Sequence, residues 1–336
     1  MKQTSKTSQL NTSIICTLKN LEEIAQEEIK ELTKKESKII LPQRVQTESN
    51  IKFLQSALQI YKFIELIDFK DLKDLKNKFP KIKVKETFKL IIQKTSTTYL
   101  ETEEIIESIA PIIIENNKTK VNLKDPKTII LLDFHEKKVI VGINPINLIK
   151  RDYHIKTTSP SINSTLAFAT IYLTKPKKGE IIIDPNCRDG SILLEANHYQ
   201  KKTKLYASSK LYPHINATTI NSKIIKANIE ISQHEINFLD TKFDKESTDI
   251  ITSYLPSKTK NNSEKAIRKL YKEFFSTSKY ILKQKGRISI ITLSPNKIIE
   301  EEAKNFKIIK KIETIKGNTN YLIIVLTHPK PLNSKF

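Results

Sequence analysis

The chain has 336 residues, 38 % hydrophobic and 28 % charged, with a formal net charge of +21. That composition excludes a disordered chain and favours two domains. Two cysteines exclude a disulfide framework and a cysteine-based zinc site, and no apolar stretch approaches the roughly 20 residues of a membrane span.

Both halves are basic. Residues 1–160 carry 28 Lys+Arg against 21 Asp+Glu, and residues 161–336 carry 30 against 16. Such a surplus points to a polyanionic partner, nucleic acid before an anionic membrane surface; the bland alternative is lysine on solvated faces. The N-terminal MKQTSKTSQLNTS has no apolar core of a signal peptide. With so few cysteines, a cytoplasmic location is expected. The 6 histidines are scattered without metal-ligand spacing.

In chain order, residues 1–10 read as a frayed tail and 13–18 as a first strand. Leu21, Ile24, Ala25, Ile29 and Leu32 recur at helical spacing. A strand over 38–41 stops at Pro42. Residues 50–66 read as a helix, 69–79 as a second short one, and 81–94 as a strand. A helix follows over 102–114, bent by Pro111. A short strand at 121–123 and a hairpin, 128–134 with 137–143, complete this half. Residues 148–163 read as a polar linker.

The second half alternates strand and helix. Helices are expected at 164–173, 215–227, 263–282 (ended by Gly286) and 298–306. Strands are expected at 181–183, 205–207, 236–238, 249–252 and 287–293, with a closing hairpin of 308–315 and 321–327. This alternation predicts a mostly parallel sheet covered on both faces.

The organising stretch is GEIIIDPNCRDGSILLEA, ending at Ala196. Ile181, Ile182 and Ile183 are the mark of a strand buried on both faces. Asp184-Pro185 ends it, Gly190 marks a turn, and Ile192 to Ala196 open a helix. A strand, a glycine-bearing turn and a helix begin a nucleotide- or cofactor-binding βαβ unit. The competing reading is an ordinary βα turn.

These residues resemble the THUMP-domain RNA methyltransferases, especially the archaeal tRNA guanine-N2 methyltransferases. Leu18–Leu32 is similar to the family's opening segment, with Asn20 where glycine is usual. Phe88–Pro145 resembles a THUMP domain, most specifically at Val121–Pro126 and Val141–Ile143. Arg151–Ala169 resembles the entry to the catalytic domain. Asp184–Ala196 resembles the family's cofactor turn, with Arg188 replacing a glycine and Ser191 a threonine.

The resemblance implies an α/β chain with a Rossmann-like methyltransferase domain, preceded by a ferredoxin-like and THUMP α+β region. The expected boundaries are 1–80 for the ferredoxin-like region, 81–147 for THUMP, 148–163 for the linker and 164–330 for the methyltransferase domain. It implies S-adenosylmethionine as cofactor, held by Asp184, Asn186, Gly190, Ser209 and Asp240. Ser209 stands where the family has an acidic residue, and an arginine at 188 could fill the space a glycine leaves. Ser253, Tyr254 and Pro256 stand at the catalytic motif, which in the family reads Asn-Pro-Pro followed by an aromatic residue. Arg151, Tyr153 and His154 are RNA-contact candidates, Glu195 a surface or capping residue.

Two functions follow. One is a tRNA-binding protein that transfers methyl from S-adenosylmethionine to a guanine exocyclic amine. The other is a non-catalytic RNA-binding chain on a methyltransferase frame, holding tRNA or other structured RNA alone or for a protein partner.

Overall fold

The computed structural model describes residues 12–95, 98–258 and 263–329; the tail expected at 1–10 lies outside the described residues. The chain divides into two compact units, Met1–Thr17 with Ala25–Leu148, and Leu18–Ile24 with Ile149–Phe336.

The first unit is one sheet with helices on it. Its strands are β1 (Ser13–Cys16), β2 (Ser37–Leu41), β3 (Arg44–Thr47), β4 (Gln59–Asp68), β5 (Thr87–Lys94), β6 (Lys120–Val121), β7 (Thr128–His135) and β8 (Lys138–Asn147). They run in the order β2-β3-β1-β4-β8-β7-β5-β6. The helices are α1 (Glu22–Thr33), α2 (Leu72–Lys78) and α3 (Thr102–Asn117). Leu75, Ile105, Ile109 and Ile113 of α2 and α3 pack on Phe88, Ile130, Leu132 and Phe134. Ala25 and Ile29 of α1 pack on Ile15, Val45 and Ile60.

The expected helix over 50–66 is not formed. Gln59–Asp68 is a strand paired with both β1 and β8. Ile60 and Tyr61 are both buried, so each face is covered and alternation disappears from the sequence. Strand β3 was not foreseen, the strand over 81–94 begins only at Thr87, and α3 continues past Pro111 to Asn117.

The sheet curls strongly. Strands β3 and β7 stand four places apart, which in a flat sheet is about 19 Å. Yet the Arg44 guanidinium meets the Asp133 carboxylate, with Nη2 donating to Oδ1 at 2.9 Å. Tyr61 donates to Asp133 Oδ2 at 2.8 Å and Thr95 to Oδ1 at 3.0 Å. Burial pushes the Asp133 carboxyl up, but His135 and Arg44 together hold it well below the usual carboxylate range. Its contribution to stability is therefore present at neutral pH and is lost as pH falls through that depressed value.

The second unit is a doubly wound sheet. It contains α4 (Ser164–Tyr172), β9 (Ile181–Asp184), α5 (Ser191–Tyr199), β10 (Lys204–Ser209), α6 (Tyr212–Ile224), β11 (Ile229–Gln233) and α7 (Leu239–Lys242). Then come β12 (Thr248–Tyr254), α8 (Glu264–Ile281), β13 (Leu282–Leu293), α9 (Lys297–Glu302), β14 (Lys307–Lys316) and β15 (Thr319–Thr327). The order is β11-β10-β9-β12-β13-β15-β14. Strands β11 to β13 are parallel; β15 inserts antiparallel to both β13 and β14.

Two local expectations are corrected here. Ile236–Phe238 is a single 3₁₀ turn, and the third strand is the preceding Ile229–Gln233. That strand lies at the sheet edge with no buried residue, so its apolar signal is weak. Gly286 does not end α8, which passes directly into β13 at Leu282. At the other edge, β14 is mostly exposed and carries Lys307, Lys310, Lys311 and Lys316.

Removing one partner of a buried ion pair leaves a charge without compensation. Asp133→Ala should therefore cost ~3–5 kcal/mol of unfolding free energy in urea denaturation. A loss below about 1 kcal/mol would contradict the role given to this pair.

Candidate cofactor site

The strand order reverses at β9. The chain leaves β9 toward β10 and β11, then returns to place β12 on its other side. Such a reversal opens a crevice at the carboxyl ends of the two central strands. Asp184 ends β9 and Tyr254 ends β12.

The turn after β9 is held at several points. Gly190 has φ +83° and precedes the first residue of α5. A Cβ there would lie 2.9 Å from Thr218 Cγ2, so both conformation and space call for glycine. Its N–H donates to Cys187 O at 2.7 Å. Cys187 is buried, which pushes its thiol up to about 12, and it is an inert packing residue.

Asp184 is buried. Its Oδ1 accepts from Asn186 N at 3.1 Å and from the Ser253 hydroxyl at 2.9 Å. Burial pushes the carboxyl up to about 7, against those bonds and the Arg188 charge. Asn186 Nδ2 donates to Tyr254 O at 2.8 Å.

Arg188 adopts φ +52°, a left-handed conformation rare for a residue with a long side chain. Only 8 % of it is exposed. Its guanidinium lies 4.5 Å from the Tyr254 ring centroid. Nε donates to Tyr254 O at 3.3 Å and Nη1 to Pro160 O at 3.2 Å. Asp189 is also turned inward. Its Oδ1 accepts from Ser191 N at 3.3 Å and from the Ser191 hydroxyl at 2.7 Å. The first turn of α5, where an anion would bind, thus receives the chain's own carboxylate.

The stretch read as a linker packs against this unit. Asn221 Oδ1 accepts from Ile155 N at 3.3 Å and Lys156 N at 2.9 Å, and its Nδ2 donates to Asp189 O at 2.9 Å. Ser161 donates to Asp189 Oδ2. Arg151 and Tyr153 are buried rather than presented to a partner. Both bond Glu195 Oε1, Arg151 Nε at 3.1 Å and the Tyr153 hydroxyl at 2.5 Å. Glu195, expected as a surface or capping residue, is itself buried. His154 sits 3.0 Å from the Ser191 hydroxyl, and burial lowers its pKa.

Among the described residues, Ile162, Asp184, Asn186, Cys187, Arg188, Asp189, Ser191, Ile192 and Tyr254 line a pocket of about 10 Å³ beside the turn. Ser209, Asp240 and Pro256 are not in that lining. Ser209 is buried against His214 Nδ1 at 2.9 Å, Asp240 is exposed on α7, and Pro256 is half-buried. Sequence reasoning missed Asp189, Asn221 and Pro160. Asp189 lies within the organising stretch, whereas nothing in the spacing of Asn221 and Pro160 marks them, because only the fold brings them to the turn.

The strand order and the position of the turn define a class I methyltransferase fold, the kind that binds S-adenosylmethionine. The family described as "RMKL-like, methyltransferase domain" matches residues 151–322, and a THUMP domain matches residues 59–144. The chain belongs to this RMKL-like methyltransferase family and carries a THUMP domain.

It is homologous to the tRNA (guanine(6)-N2)-methyltransferase of Methanocaldococcus jannaschii, 25 % identical over 63 % of this chain and 67 % of that protein. It is 28 % identical to the human U6 snRNA (guanine-N(2))-methyltransferase over 51 % of this chain, but spans only 34 % of that relative. The fold is shared with TrmN from Thermus thermophilus at TM-score 0.78, with 17 % identity over 95 % of this chain and 99 % of that one. A possible methylase from Clostridium difficile 630 also matches at TM-score 0.78, with 21 % identity over 96 % and 99 % of the two chains.

The fold is consistent with S-adenosylmethionine, but the residues at the turn do not fit it. The cradle that glycine would leave at position 188 is filled by a buried arginine, and the pocket beside the turn has room for about one water.

The raised Asp184 value has a testable sign. Between about pH 4 and pH 7 the folded chain keeps a proton that the unfolded chain has released, so stability falls as pH rises through this window. Asp184→Asn fixes the neutral form. From pH 5 to pH 8 the wild-type midpoint should fall further than that of the variant, by about 2–4 °C for each kcal/mol. Parallel falls in the two proteins would refute the assignment.

Proposed function

We propose that this chain binds structured RNA, transfer RNA first, through the unit that carries its THUMP domain, and that as it stands it transfers no methyl group. The THUMP domain implicates RNA binding. The charge of +21 supplies the attraction to phosphate. Transfer RNA comes first because the homologue from M. jannaschii is named for it. One observation carries the non-catalytic part, the Arg188 side chain in the cofactor crevice.

Homology favours a second reading, methyl transfer to a guanine amine. There Asp184, Asn186, Gly190, Ser209 and Asp240 would hold the cofactor, and Ser253, Tyr254 and Pro256 would orient the base. Three placements weigh against it. The Ser253 hydroxyl is donated to Asp184, the Tyr254 ring faces Arg188, and Ser209 is engaged with His214. A non-catalytic chain would hold RNA alone or present it to a protein partner. A cytoplasmic setting suits the two buried free cysteines, and no described helix is long and apolar enough to cross a membrane.

The test is filter binding of an unmodified tRNA transcript, with a methyl-transfer assay on the same sample. Binding should weaken on the order of 10–100-fold as salt rises from about 50 to 200 mM, as for a few phosphate contacts. Methyl incorporation should stay at background. Absent or salt-independent binding refutes the RNA reading, and stoichiometric methylation refutes the non-catalytic one.

A further inference from the structure

We infer that Arg188 is a built-in occupant of the cofactor crevice, and that this one side chain is what keeps S-adenosylmethionine out. The inference rests on the non-catalytic reading above and names its cause.

The placement is specific. The turn puts residue 188 at φ +52°, a conformation that favours glycine, and so aims whatever side chain it carries from the bend. The guanidinium then meets the end of β12 twice, through its bond to Tyr254 O and its position 4.5 Å from the Tyr254 ring. Its other end reaches Pro160 O, on the segment that Ser161 and Asn221 tie to Asp189. The arginine thereby joins the turn, the catalytic-motif strand and the covering segment across the space a ligand would need.

Shape and charge exclude the cofactor together. About 10 Å³ remains in the pocket beside the turn, where Arg188 lies. S-adenosylmethionine is itself a cation at its sulfonium, and a fixed guanidinium in the same buried site repels it. The turn is also self-satisfied, with Asp189 on the first amide of α5 and Arg188 on two carbonyls. A ligand would have to displace bonds already made.

The experiment is calorimetric titration of full-length wild type, Arg188→Gly and Arg188→Ser. Each is titrated with S-adenosylmethionine and with its neutral product S-adenosylhomocysteine, with and without tRNA. Near-UV circular dichroism reports folding. Wild type should bind neither compound at millimolar concentration. Arg188→Gly should gain affinity by about tenfold or more. The serine variant serves the same comparison should glycine impair folding. Micromolar binding by wild type, in either condition, overturns both this inference and the non-catalytic reading. Folded variants that bind no better than wild type overturn the inference alone, leaving Ser209 and Ser253 as the cause of lost binding.

Discussion

The second unit depends on one topological constraint, the reversal of strand order at β9. Because the chain departs on one side of β9 and returns on the other, a crevice opens at the carboxyl ends of β9 and β12. Whatever the sequence places at Asp184–Gly190 and at Ser253–Pro256 must therefore meet. In this chain those residues meet each other instead of leaving a void. Asn186 and Arg188 reach Tyr254, and Ser253 reaches Asp184. The sheet that makes a cofactor site possible is also what lets the site close on itself.

Arg44 and Arg188, both buried, are satisfied differently. Arg44 has a carboxylate partner, and Asp133 is further satisfied by Tyr61 and Thr95. Arg188 has two backbone carbonyls and a ring. A hydrogen bond to a charged group contributes ~1.5–3 kcal/mol, and a desolvated cation–π contact about 2 kcal/mol. Against these stand the desolvation of a guanidinium and a left-handed backbone that costs of order 1–3 kcal/mol. Burial accordingly lowers the Arg188 pKa. Residues in such conformations persist only where their surroundings over-determine them, and here the turn, β12 and Pro160 do so.

Much of this was legible in the sequence, and the failures have physical causes. Ile181–Ile183, Gly190 and the alternation after them located the central strand, its turn and the parallel sheet. The misreadings fall where a strand is covered on both faces, as at Gln59–Asp68, or lies at an edge with little burial, as at Ile229–Gln233. Arg151 and Tyr153 show the limit for side chains. Their types suited a nucleic-acid contact, but Glu195, more than forty residues later, draws both inside. The departure at Arg188 was visible as a broken motif. Its contacts were not, because Pro160 and Tyr254 approach it only through the fold.

The lysines of β14 give the positive charge a second meaning. This strand closes one side of its sheet, and an open sheet edge is a template on which another chain can add a strand and begin to aggregate. Ile308, Ile309 and Ile315 are exposed along it, which would make such addition favourable. Lys307 and Lys316 set like charges against any second copy arriving in register, while Lys310 and Lys311 are paired with Glu23 and Glu300. Part of the basic character of this half therefore serves solubility, as a guard on newly made protein, and a count of its lysines overstates the surface available to RNA.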